Sequence, residues 1–160
     1  KNKKMATNNA TINVSSDVSS YGMGFGNSMT MTKADSNTGL DQATGLVRKT
    51  LSSTNEVDLL TVGTGVAADV TASKSAKLYI KNVNSDSSEY FTVGLGKSSA
   101  GAAKQAFAVS DDANRSVEIG RLYSGDFLII PWDAASDEND VFVKPSVATN
   151  TVIEYQVFYE

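Results

Sequence analysis

The stretch Ala76-Lys77-Leu78-Tyr79-Ile80-Lys81-Asn82, continuing through Val83-Asn84-Ser85-Asp86-Ser87-Ser88 into Glu89-Tyr90-Phe91-Thr92-Val93-Gly94-Leu95, decides the fold class of this chain. Leu78 and Ile80 alternate with Tyr79 and Lys81, and Phe91, Val93 and Leu95 align in the same way. This is the period of two that a half-buried strand imposes. The cluster of Asn, Asp and Ser between the two runs reads as a turn. Two such runs joined by a short polar loop predict an antiparallel hairpin.

The same pattern repeats on both sides. Arg115 to Tyr123 alternates through Val117 and Ile119, and Ser124-Gly125-Asp126 then turns the chain into Phe127 to Ile130, which is apolar on both faces. A strand of that kind is expected in the middle of a sheet. Pro131 is expected to end it, because proline cannot donate into a central ladder. Val141 to Lys144 reads as a short strand stopped by Pro145, and Thr151 to Tyr159 as a long one with Ile153, Tyr155, Val157 and Tyr159 on one face. Upstream, Met29 and Met31 oppose Thr30 and Thr32, and Leu46 to Leu51 and Val57 to Val62 are further candidate strands. Lys97 to Phe107 suits a turn or two of helix as well as it suits a loop. Eight or nine short strands separated by turn signals predict an all-β chain folded as an antiparallel sandwich or barrel.

Composition narrows the chemistry. The chain has 160 residues, enough for one domain, and contains neither His nor Cys. Ser-His-Asp and Cys-His catalysis, thiolate or imidazole zinc sites, haem ligation and disulfides therefore lack their parts. Net charge is -4 and pI about 4.8, which argues against a nucleic-acid partner, since phosphate binders need a basic surplus. Ser, Thr and Asn make up 46 residues, a polar but weakly charged surface. The longest apolar run, Phe127 to Trp132, is far below the roughly 18 residues that a spanning helix needs, so no membrane association is expected. Lys1-Asn2-Lys3-Lys4 reads as an unstructured leader before a natural start at Met5-Ala6-Thr7, with no apolar signal stretch behind it.

The remaining chemistry is thin. No carboxylate pair stands in a context that suggests glycoside hydrolysis, and Ala100 to Lys104 lacks what a Ser-Lys enzyme would need. No catalytic residue, cofactor or metal ligand is assigned. Asp133 to Asp140 gathers four carboxylates and an Asn, yet without the order of an EF-hand loop it reads as a solvated acidic loop. Asp111 to Asp140 carries eight acids against Arg115 and Arg121, a net of -6, and is expected to form one acidic surface. Trp132, the only tryptophan, is a stacking platform for a sugar in one reading and a cap on the core in the other. The tyrosines fall on or beside strands, where packing accounts for them. Residues 1–26 are expected to form an extended or disordered N-terminal arm, with Tyr21, Met23 and Phe25, spaced by glycines, as anchors against a partner surface. Residues 27–160 form the sandwich domain, and 76–160 are its best-marked part.

Lys77 to Asn82, Glu89 to Gly94, Ile119-Gly120-Arg121-Leu122-Tyr123-Ser124-Gly125-Asp126-Phe127, Pro131-Trp132 and Val147 to Tyr155, in that order, resemble small virion structural proteins of tailed bacteriophages, above all marine and cyanobacterial ones. Asn37 to Thr50 is similar to N-terminal parts of such proteins. The resemblance implies a non-enzymatic capsid decoration, or cement, protein with a jelly-roll-like sandwich. Its implied partners are the major capsid protein and further copies of itself in a homo-oligomer, a trimer. Its implied place is the outer surface of the virion head, after synthesis in the host bacterial cytoplasm. A tail, neck or head-fibre component is the alternative role. A carbohydrate-binding sandwich module, with Trp132 or a surface Tyr as its platform and calcium in the Asp133 to Asp140 loop, is the alternative from another class.

Overall fold

The computed structural model describes residues 9–15, 24–30, 40, 42–63, 70–71, 74–96, 117–134 and 140–159, and every regular element among them is a strand. In chain order these are β1 (Asn9–Ser15), β2 (Gly24–Thr30), β3 (Gln42–Ala43), β4 (Val47–Leu51), β5 (Val57–Leu60), β6 (Val62–Gly63) and β7 (Val70–Thr71). They are followed by β8 (Lys74–Asn82), β9 (Tyr90–Leu95), β10 (Val117–Tyr123), β11 (Phe127–Ala134), β12 (Val141–Pro145) and β13 (Thr151–Tyr159).

Eight of the strands pair as a hairpin of hairpins. β9 pairs with β10, β8 with β11, β5 with β12 and β4 with β13, each pair enclosing the previous one along the chain. Two further ladders, β8 to β13 and β9 to β12, join these pairs side by side. The outcome is two antiparallel sheets, β11-β8-β13-β4 and β10-β9-β12-β5, with β3 beside the last residues of β13. β6 and β7 make a small parallel pair.

Alternation accounts for the way the two sheets meet. From the first sheet, Leu78, Ile80, Trp132, Ile153, Tyr155 and Val157 are buried, and from the second Phe91, Val93, Leu122, Val141 and Val143. All of them belong to one continuous apolar cluster. Register pairs them across strands, Ile80 with Tyr155, Leu78 with Val157, Val93 with Val143 and Phe91 with Leu122. Each large apolar side chain buried in this way contributes about 1.5–3 kcal/mol. Leu59 and Leu60 of β5 and Leu51 of β4 extend the cluster.

Several expectations are corrected. β8 and β9 do not form a hairpin, because they lie in different sheets. Both turn an apolar face to the same core from opposite sides, and hydrogen bonds from Asn82 at the end of β8 carry the chain across. Phe127 to Ile130 is not central: β11 lies at the edge of its sheet and runs on through Pro131 to Ala134. An edge strand leaves half of its N–H groups outside the ladder, which is where a proline is tolerated. The alternation through Val117 and Ile119 fails at a bulge between Glu118 and Gly120, so both side chains are exposed and Leu122 is the residue that enters the core. Asn9 to Ser15 pairs with Gly24 to Thr30 along its whole length. Met31, Thr32 and the stretch from Lys97 to Phe107 lie outside the described residues.

Phe142 shows how little room the second sheet leaves. It is fully buried on the face that turns away from Val141 and Val143, opposite Gly94 of β9. A Cβ at Gly94 would overlap the Phe142 ring and the Val117 carbonyl. At Gly120, three residues along the neighbouring strand, the same atom would meet nothing within 4 Å. Gly94→Ala is therefore expected to lower the free energy of unfolding by about 1–3 kcal/mol in urea titrations, and Gly120→Ala to stay within about 0.5 kcal/mol of the parent. Equal costs at the two positions would contradict the packing described.

Candidate functional site

Among the described residues of the two sheets, polar chemistry gathers in three places. The first is the junction at the end of β8. Asn82 is fully buried, and its side-chain amide donates to Leu122 O at 3.0 Å and to Glu89 O at 3.3 Å. Its Oδ1 accepts from Asn84 N at 3.0 Å, its N–H donates to Asp126 O at 3.0 Å, and its carbonyl accepts from Gly125 N at 3.0 Å. Asn84 continues the junction, its Oδ1 accepting from Val152 N at 2.7 Å and its carbonyl from the Ser124 hydroxyl. Gly125, with φ of 85°, supplies the left-handed turn residue between β10 and β11. Every polar atom of Asn82 is used within the fold, so this site holds structure rather than a ligand.

The second place is the outer face of the first sheet. One row across it carries Phe127, Lys81, Glu154 and Arg48 on β11, β8, β13 and β4. The buried Glu154 carboxylate accepts from Arg48 Nε at 2.9 Å and from the Tyr79 hydroxyl at 3.3 Å. Burial, and then the Glu154 charge and hydrogen bond, raise the Tyr79 hydroxyl above its ordinary pKa of 10.0.

The third place is the outer face of the second sheet. Tyr123 and Tyr90 are register partners with ring centroids 5.2 Å apart, and the Arg121 guanidinium lies 4.7 Å from the centre of the Tyr90 ring. In the adjoining row Arg121, Thr92 and Lys144 lie side by side on β10, β9 and β12. Packing does not absorb Tyr123, which is 42% exposed.

The residues singled out from sequence are distributed differently. Trp132 is 3% exposed and packs in the core with Leu128 and Ile130, so of its two readings the core cap holds and the stacking platform does not. Asp140 is buried, its carbonyl accepting from Gly96 N, so its side chain is not exposed as those of Glu118 and Asp126 are. Among the described residues no three acidic side chains come together as a metal site, and residues 135–139 of the acidic loop lie outside them. Tyr21 and Met23 also lie outside the described residues, and Phe25 is opposite Val14 in the β1–β2 ladder. The pairing of Tyr90 with Tyr123 and the flanking of Thr92 by two cations escape a reading of the sequence, because strand register alone creates them.

The raised Tyr79 pKa gives stability a defined alkaline dependence. Below about pH 10 folded and unfolded chains both keep this proton, so the contribution is fully present. As pH rises past that point the unfolded chain loses the proton first, and stability falls until the folded pKa is passed. Tyr79→Phe is expected to flatten this limb in denaturation curves taken between pH 8 and 11; an unchanged slope would contradict the Tyr79–Glu154 contact. Compared with known protein families, curated proteins and solved structures, the chain matches none.

Proposed function

We propose that the eight nested strands form a jelly roll and that this protein is a non-enzymatic structural component of a tailed-phage virion, a capsid decoration protein on the outer head surface. The observation that supports the reading best is the pairing order. Numbered one to eight along the chain, β4, β5 and β8 to β13 pair one with eight, two with seven, three with six and four with five. This is a long hairpin rolled up, the order of a double Greek key, an architecture shared by viral capsid and lectin domains. Such a body offers two broad sheet faces and edges for contact. It has no need of the His and Cys that the sequence lacks.

The proposed role is to hold neighbouring major capsid protein subunits together at capsomer junctions, as a homo-oligomer around a symmetry axis, with a trimer as the expected state. The N-terminal segment, whose two described strands pair only with each other among the described residues, serves as the arm that reaches the shell or a neighbouring copy. Removing residues 1–30 is expected to leave a cooperatively folding body that no longer decorates heads. Full decoration by the truncated chain would remove the arm from the account.

Copy number tests the placement. In purified particles of a phage that encodes this chain, quantitative mass spectrometry is expected to give a count on the scale of the major capsid protein. A count on the scale of a portal or tail-tip ring would replace the head role with the tail, neck or fibre alternative. Absence from the particle would overturn the virion role.

A further inference from the structure

We propose that the outer face of the β10-β9-β12-β5 sheet binds an acidic oligosaccharide, with Tyr123 under a sugar ring and Arg121 and Lys144 on its carboxylates. The inference is independent of the virion role. It rests on two adjoining rows of side chains. One row is Tyr123, Tyr90 and Ser146, in which Ser146 N donates to Tyr90 O at 2.9 Å and Tyr90 N donates to Ser146 Oγ at 3.0 Å. The other is Arg121, Thr92 and Lys144.

Each member has a definite part. The Tyr90 ring is occupied on one side by the Arg121 guanidinium, and this contact fixes the guanidinium over the sheet. Tyr123 is tilted 51° from Tyr90, and 42% of its surface is open to a ligand. An exposed aromatic ring offers an apolar plate to the C–H face of a sugar. Arg121 and Lys144 are exposed, and among the described residues neither has a carboxylate partner. They lie on strands one removed from each other, hence about 10 Å apart at the backbone, with Thr92 between them. A guanidinium binds a carboxylate through two parallel hydrogen bonds, and an ammonium binds it as a point charge.

The geometry selects the class of ligand. Thr92 and Tyr90 lie on β9, which has a strand on either side, so its backbone is already paired and an added peptide strand finds no ladder to join. Whatever binds here is held by side chains alone, those of the exposed Tyr123, Arg121 and Lys144 around the buried Thr92. A chain of flat rings bearing carboxylates meets that condition, since it presents an apolar ring face and an anion in each unit. A neutral sugar leaves both cations without a partner. Nucleic acid is disfavoured by the chain's net charge of -4.

Titration of the isotope-labelled full chain with a hexamer of uronic acid, followed by NMR, tests the proposal. Expected are shifts confined to β9, β10 and β12 around Tyr90, Thr92, Arg121, Tyr123 and Lys144, and weaker binding as salt rises. Tyr123→Ala and Arg121→Gln are each expected to weaken binding by about ten-fold or more. Both side chains are exposed, and an unchanged spectrum elsewhere shows that the variants fold. No binding of the hexamer overturns the proposal, as does equal binding of a neutral hexasaccharide, of oligoglutamate or of a single-stranded oligonucleotide. Unchanged affinity in both variants overturns it as well.

Discussion

The fold depends on one buried amide. Asn82 ends β8 in the first sheet and bonds through its side chain to Leu122 O on β10 and Glu89 O before β9, both on the second. Its backbone N–H and carbonyl close on Asp126 and Gly125, the turn that returns the chain from β10 to β11. Two crossings between the sheets therefore pass through a single residue. A buried amide is costly unless every donor and acceptor is met, and here all of them are met, so the same groups that would penalise a wrong arrangement hold this one. Asn84 extends the lock to β13 by accepting from Val152 N.

The remaining architecture follows from this crossing and from the alternation of side chains. Once β8 and β9 are sent to opposite sheets, Leu78 and Ile80 face Phe91 and Val93 across one core, and β11 and β10 complete the same two sheets as their outer partners. The later strands β12 and β13 fill the middle of each sheet, and β5 and β4 flank them. The two outer faces are left with different characters. One places Glu154 among Arg48 and Tyr79, and the other sets Arg121 over Tyr90 of the Tyr90–Tyr123 pair with Lys144 across Thr92 from it, neither cation having a carboxylate partner among the described residues.

Much of this was legible from residue order. The period of two located β8, β9 and β13 to within a residue or two, and the inward set of Ile153, Tyr155 and Val157 was read from the same signal. What alternation does not record is the sheet to which a strand belongs, since a strand in either sheet buries the same kind of face. Asn82 reads as a turn former in sequence, and only its burial reveals a crossing between sheets. Pro131 reads as a terminator until β11 is known to be an edge. Phe142 is buried on the face where alternation expects exposure, because the adjacent Gly94 has no side chain and leaves space for the ring. The Tyr90, Tyr123, Arg121 and Lys144 arrangement depends on the registers of three strands, and those are set by pairing and a bulge that no local pattern announces.

Equilibrium unfolding of Asn82→Ala in urea, followed by both backbone circular dichroism and tryptophan fluorescence, tests the dependence on this junction most directly. Loss of the side-chain amide leaves the carbonyls of Leu122 and Glu89 and the N–H of Asn84 without their partners. The account predicts a loss of about 2–4 kcal/mol, with both probes moving together in one transition. A loss of less than about 0.5 kcal/mol, the range of an ordinary surface substitution, would contradict it.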